Sequence, residues 1–284
     1  MGFVIWRYEP TKFLNLLLYI YFQHQNYFIM RKAFYLRMII TMVITMGLAS
    51  VSKADEPSTF SVDGTAYFVW NIDGNGTLHV IPLEASTSHF DKSPFYKYRK
   101  QIKNVIIEDD FYCDEGFAVI GDNLFKGLDK VESIRFSDKV RVIGESAFEG
   151  CTALKEIIFP STVKNIGRNA LKGCSSLVSV SLPFIGFDGA IWVDQTDRND
   201  LSWIFGTSTG KEYYNVSHMI GRKTMKFSLP VSLKSLAVNG GVLCSDAFDD
   251  CSSLENISLG ISTKSVPSAL VAGHYGDAQL YSNK

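Results

Sequence analysis

The chain has 284 residues, 28 Lys+Arg against 29 Asp+Glu, 46% apolar residues, 22 Gly and 5 Cys. This balance excludes a disordered or collagen-like chain, and no apolar run reaches the ~18 residues expected of a multi-pass membrane protein. The near-zero charge conceals two unlike parts: residues 1–54 hold six basic residues and one acidic, and the remaining 230 carry 22 basic and 28 acidic, a formal charge of −6.

Residues 1–29 are rich in aromatics (Phe3, Trp6, Tyr8, Phe13, Tyr19, Tyr21, Phe22) and fit no export role. They read as an extension ahead of a true start at Met30, the alternative being a long signal-anchor. From Met30 the chain shows the three zones of a secretory signal peptide. Arg31, Lys32 and Arg37 precede an apolar stretch from Met38 to Ala49, and Ser52-Lys53-Ala54 offers small residues for cleavage after Ala54. The expected destination is secretion or the cell surface.

Self-similarity governs the rest. Ile120-Gly-Asp-Asn-Leu-Phe-Lys-Gly-Leu128, Ile143-Gly-Glu-Ser-Ala-Phe-Glu-Gly-Cys151 and Ile166-Gly-Arg-Asn-Ala-Leu-Lys-Gly-Cys174 align without gaps, their starts 23 residues apart. A fourth copy is Leu243-Cys-Ser-Asp-Ala-Phe-Asp-Asp-Cys251, and short β-type runs follow each at 131–136, 154–159, 177–182 and 254–259. Runs at 102–107 and 233–238 fit the same template, giving about six coils of one unit. A period of 23 predicts an α/β leucine-rich-repeat solenoid, with a short parallel sheet on one face and short helical turns on the other. Strand alternation points Leu154, Ile157 and Phe159 inward and Glu156 and Ile158 outward. Ile143, Ala147, Phe148 and Cys151 supply the apolar turn opposite, expected as one short helix.

The pattern Ile-Gly-x-x-Ala-Phe-x-x-Cys-x-x-Leu-x-x-Ile-x-Phe/Leu-Pro resembles the BspA-like (Treponema-type) leucine-rich repeat of microbial surface proteins. The segment Trp70 to Val80, turning at Asp73-Gly74-Asn75-Gly76, is similar to the β-hairpin that caps such proteins. The segments around Leu182-Pro-Phe-Ile-Gly186, Trp203-Ile-Phe-Gly-Thr-Ser208 and Leu229-Pro230 resemble an insertion found between coils of some members. The resemblance covers about 60–284 and departs at Leu128, where Cys is usual, and in the tail after Leu259. The organisation so read is an extension over 1–29, a signal peptide over 30–54 and a hairpin cap leading into the solenoid over 55–101. Repeats follow over 102–182, then an insertion over 183–228 and C-terminal repeats with a tail over 229–284. The resemblance implies adhesion to host or neighbouring cells, without catalysis.

The repeat explains most chemistry-bearing residues. Cys151, Cys174 and Cys251 share one repeat position and read as buried small apolar groups. Cys151 and Cys174 on neighbouring coils would lie roughly 5 Å apart, so a disulfide stays open as the alternative. No Cys pair has metal-ligand spacing, so no metal is expected. Gly206-Thr-Ser-Thr-Gly210-Lys211-Glu212 is one residue short of a phosphate-binding loop and has Glu where a hydroxyl is required, so no nucleotide is expected. Asp194, Asp197 and Asp200 lack the alternation of a calcium loop. His79, His89, His218 and His274 are dispersed and suggest no catalytic site, and no cofactor is expected. Arg222, Lys223 and Lys226 form the densest basic group, too short for nucleic acid on an acidic chain.

The outward rows of the sheet remain. One column holds Asn104, Ser133, Glu156, Ser179, Ser235 and Asn256, and the next Ile106, Arg135, Ile158, Ser181, Ala237 and Ser258. Solenoids bind along such surfaces, and six strands make a platform roughly 25–30 Å wide, suited to a peptide or loop. Trp192, Trp203, Phe205, Tyr213 and Tyr214 of the insertion are the candidate aromatic anchors, for a protein or, alternatively, for a carbohydrate. The expected partner is an extracellular protein or glycan, bound by a monomer.

Overall fold

The computed structural model describes residues 58–62, 65–82, 90–108, 117–185, 201–220, 223–241, 248 and 251–263. All of them lie in the unit formed by residues 52–284. The leader, Trp192, the Asp194–Asp200 cluster, His89, His274, Cys113, Cys244 and the tail beyond 263 lie outside the described residues.

The described residues open with antiparallel strands β1 (Ser58–Val62), β2 (Thr65–Ile72) and β3 (Thr77–Pro82). The β2–β3 turn falls at the expected Asp73–Gly76. Asp73 Oδ1 accepts the N–H groups of Asn75 (2.9 Å) and Thr77 (2.7 Å), and Gly76 takes φ +80°, where a side chain would be strained. Strand β3 then pairs in parallel with β4 (Asn104–Ile107), and β4 with β6 (Ser133–Arg135). The cap thus donates a strand to the coil face, which brings Thr77 and His79 into line with Asn104 and Ile106.

A second stretch of the same face comprises β8 (Glu156–Ile158), β10 (Ser179–Leu182), β13 (Ser235–Gly241) and β14 (Asn256–Thr263), all parallel. The two stretches are separate sheets, with no ladder joining β6 to β8. On another wall β5 (Ala118–Ile120), β7 (Val140–Ile143) and β9 (Asn165–Ile166) form a parallel ladder of their own.

The alternation expected from sequence is observed. Leu154, Ile157 and Phe159 are 0–2% exposed, whereas Glu156 is exposed and Ile158 is 57% exposed. Pro160 stands two residues beyond β8, after Phe159 has donated its N–H to Ser181 O, and cannot extend the ladder as a donor.

The helical turns expected after each Ile-Gly are not formed, and the reason is local. Asn123, Ser146 and Asn169 adopt φ +57°, +53° and +58°, and Gly127, Gly150 and Gly173 adopt +74°, +76° and +76°. Two left-handed residues within seven positions cannot belong to a right-handed helix. The turn instead hydrogen-bonds sideways. Asn123, Phe125 and Gly127 donate their N–H groups to the carbonyls of Glu145, Ala147 and Glu149 in the following coil, and Ser146, Phe148 and Gly150 repeat this to Arg168, Ala170 and Lys172. Coils approach so closely here that a Cβ on Gly144 would stand 2.6 Å from the Asp122 backbone nitrogen.

The core runs along the stack. Phe95, Phe125 and Phe148 are fully buried and stack with centroids 5.8 and 5.5 Å apart and interplanar angles of 13° and 11°. Charge follows the same repeat: Lys126, Glu149 and Lys172 occupy one position of successive turns, with Glu149 Oε2 2.8 Å from Lys126 Nζ and Oε1 3.4 Å from Lys172 Nζ.

After β10 the chain leaves the coil and returns without disturbing its register, since Ser179 still pairs with Ser235. Within this excursion α1 (Leu201–Phe205) and the hairpin β11 (Tyr213–Ile220)–β12 (Lys223–Pro230) are described. The short helix takes the place of a further turn: Asn169 and Leu171 donate N–H to the carbonyls of Trp203 (2.7 Å) and Ile204 (3.0 Å).

Candidate binding faces

Two concave or outward features have the makings of a site. The first is the outward row of the coil face. Its register is fixed by backbone pairing, with Thr77, Asn104 and Ser133 abreast in one sheet and Glu156, Ser179, Ser235 and Asn256 abreast in the other. The second column runs His79, Ile106, Arg135 and then Ile158, Ser181, Ala237, Ser258. None of these residues is buried, and Ser133, Arg135, Glu156, Ile158 and Asn256 are exposed. The Ser133 hydroxyl donates to Asn104 Oδ1 at 2.7 Å, so neighbouring coils also bond side chain to side chain along the row.

His79 was not among the residues expected on this face. Its Nδ1 lies 2.7 Å from Glu108 Oε1 and its Nε2 3.8 Å from Asp73 Oδ2. Burial raises the Asp73 pKa, but the N–H groups of Thr77 and Asn75 and the neighbouring His79 outweigh it and hold the carboxyl below its ordinary value. The alternation Leu78, His79, Val80 carried the signal, since it matches the in–out–in order of the coil strands.

The insertion aromatics take a different position from the one expected of ligand anchors. Phe205 is 1% exposed and belongs to the core, so it cannot stack on a partner. Trp203 is half-buried, its indole N–H donating to the Ile166 carbonyl at 2.8 Å. Tyr214 Oη accepts a hydrogen bond from the Ser253 hydroxyl at 2.9 Å, and burial pushes the Tyr213 phenol pKa upward. Trp203 and Tyr214 therefore fasten the excursion to the coils on either side of it.

Cys151 and Cys174 are free, buried thiols. Each Sγ–H donates to the carbonyl of the phenylalanine one coil back, Cys151 to Phe125 (3.3 Å) and Cys174 to Phe148 (3.2 Å). Burial pushes the Cys151 thiol up to about 12 and that of Cys174 well above its ordinary value, so neither is a nucleophile near neutral pH. Among the described residues no group of three His, Cys, Asp or Glu could hold a metal ion.

The second feature is a cavity of about 410 Å³ between the turn at 168–172, α1 and β12. Its lining includes Arg168, Asn169, Lys172, Trp203, Gly206, Thr207, Thr224 and Lys226. Its walls are fastened by main-chain bonds, Asn169 N–H to Trp203 O on one side and Ser228 N–H to Gly206 O (2.8 Å) on the other. Gly206 sits at φ +54°, and a Cβ there would meet Asn169 Oδ1. The loop that resembled a phosphate-binding loop begins at this glycine but leads into a strand, not a helix, and so lacks the helix N-terminus that such loops present.

This architecture of stacked strand–turn coils of a 23-residue unit defines a leucine-rich-repeat solenoid. Residues 118–185, which hold three consecutive turns of the repeat, match the family model described as "BspA type Leucine rich repeat region (6 copies)". The chain thus carries a BspA-type leucine-rich-repeat region. Among solved structures it is similar to a leucine-rich-repeat protein of T. pallidum, at 16% identity and a TM-score of 0.33, over 71% of this chain and 82% of that one. It is also similar to a leucine-rich cell surface protein from Faecalibacterium prausnitzii, at 15% identity and a TM-score of 0.27, over 76% and 74%. A leucine-rich-repeat protein from Bacteroides ovatus matches at 18% identity and a TM-score of 0.25, over 71% and 67%. No curated protein matches the chain by sequence.

Proposed function

We propose that the protein is exported and binds an extracellular protein through the outward rows of its coil face, in the service of adhesion to host or neighbouring cells. The observation that carries this reading is the unbroken register of the two columns within each sheet. Backbone pairing sets Glu156, Ser179, Ser235 and Asn256 abreast, with Ile158 57% exposed beside them. A polar row with an apolar side chain standing out of it has the composition of a protein-binding surface, in which buried apolar contacts give affinity and the polar rim gives specificity. The basic, apolar segment from Met30 to Ala54 supports export, and the acidic balance of residues 55–284 argues against nucleic acid as the partner.

The test is surface plasmon resonance of the full-length chain over immobilised extracellular-matrix and cell-surface proteins. Ile158→Glu combined with Arg135→Glu is expected to weaken any specific interaction at least tenfold while leaving thermal unfolding unchanged. Retention of full binding by that variant would remove the coil face from the reading. Phe205 is buried, so it offers the carbohydrate alternative no stacking surface.

A further inference from the structure

We infer that the cavity between the turn at 168–172, α1 and β12 is a binding site for an acidic saccharide, one that bears carboxylate or sulfate groups. Three cations line it from two distant parts of the chain: Arg168 and Lys172 on one turn, Lys226 on β12. Among the described residues no Asp or Glu lines it, although residues 55–284 carry a formal charge of −6. Lys172 shares Glu149 with Lys126, at 3.4 Å. Arg168 and Lys226 are exposed and have no ion pair among the described residues. Like charges lining one concavity repel one another and focus the local field toward an anion.

Size and lining argue for a saccharide and not a bare ion. A cavity of about 410 Å³ falls within the range of roughly 300–1,000 Å³ that holds organic ligands. Thr207 and Thr224 line it together with Trp203. Trp203, whose indole N–H is bonded to Ile166 O, adds an aromatic residue to this lining, a residue type that suits the C–H face of a sugar. The main-chain bonds that fasten both walls mean little ordering is needed on binding. This site is separate from the coil face and does not depend on it.

Calorimetric titration of the full-length chain tests the inference with four probes: a heparin-derived tetrasaccharide, trigalacturonate, neutral maltotetraose and inorganic phosphate. The expected result is binding of at least one acidic oligosaccharide, none of maltotetraose, and weakening as sodium chloride is raised. Arg168→Gln with Lys226→Gln should lower affinity at least tenfold with an unchanged melting midpoint, since both side chains are exposed. Thr224→Asp, which sets a carboxylate into the same cavity, should weaken binding independently and serves if the double variant misfolds. Absence of binding by both acidic probes, equal binding of the neutral one, or affinity untouched by these substitutions would overturn the inference. Phosphate binding as tight as that of the saccharides would overturn it too, by reducing the site to one for a simple anion. Binding of trigalacturonate would show that carboxylates suffice, whereas binding of the heparin fragment alone, which carries both groups, would show that sulfate is required.

Discussion

The regular turns at 121–127, 144–150 and 167–173 and the excursion around α1 solve one problem in two ways. In the regular turns, residues 23 apart repeat the same left-handed positions and the same sideways bonds around a buried apolar side chain, Phe125, Phe148 or Leu171. At the end of that run, a five-residue helix with no Ile-Gly signature offers the carbonyls of Trp203 and Ile204 where the next turn would have offered its own, and buries Leu201, Ile204 and Phe205. A coil therefore requires acceptors at set positions and filled volume from its neighbour, and the repeat sequence is one of several ways to provide them.

The comparison is most strongly tested in the core. Phe148→Ala is expected to destabilise by about 3–5 kcal/mol, and Phe205→Ala should cost a similar amount if α1 serves as a coil. A denaturant titration showing a loss below about 1 kcal/mol for Phe205→Ala would make the helix an ornament and break the equivalence. Next in size, Gly144→Ala drives a methyl against the Asp122 backbone and should cost about 1–3 kcal/mol, read as a lower melting midpoint. At the junction, Trp203→Phe removes the bond to Ile166 O while keeping a ring, at about 1 kcal/mol, and should speed hydrogen exchange in β9 and α1 more than in β5.

The smallest effect concerns charge. Burial raises the Glu149 pKa, but the hydrogen bonds from Lys126 and Ser146 and the charges of Lys126 and Lys172 outweigh it and hold the carboxyl below its ordinary value. A carboxylate whose folded pKa is depressed stabilises fully above its unfolded value and loses that contribution as pH falls through the folded one. Glu149→Gln should therefore be less stable than the parent by under about 1 kcal/mol at pH 7. The gap should close as pH drops below 4.5, the ordinary value for this carboxyl. A gap that persists at pH 2 would assign the effect to packing.

The coil face was legible because strand alternation has a period of two and the repeat sets where each strand starts. Glu156 and Ile158 point outward as the spacing of Leu154, Ile157 and Phe159 requires. The form of the turns was not. Ile143, Ala147, Phe148 and Cys151 have the spacing of one helical face, but Ser146 and Gly150 in left-handed conformation break the helix, and the sideways bonds between coils that reward this are invisible in a single unit. The cavity was hidden for a different reason. Lys226 stands 54 residues beyond Lys172, and only the return of β12 past Gly206 brings the two to one concavity.

The missing ladder between β6 and β8 has a mechanical consequence. The coils on either side of that gap remain stitched on another wall by β7 and β9 and by the turn bonds from Ser146, Phe148 and Gly150. The stack is jointed like staggered brickwork at this point, the seam on one wall backed by an unbroken course on another. Bending that opens the coil face at this seam breaks no strand ladder there, whereas bending the other way must rupture several hydrogen bonds at once. The solenoid is thus stiffer in one direction than the other, and its compliant direction is the one that spreads Arg135 from Ile158.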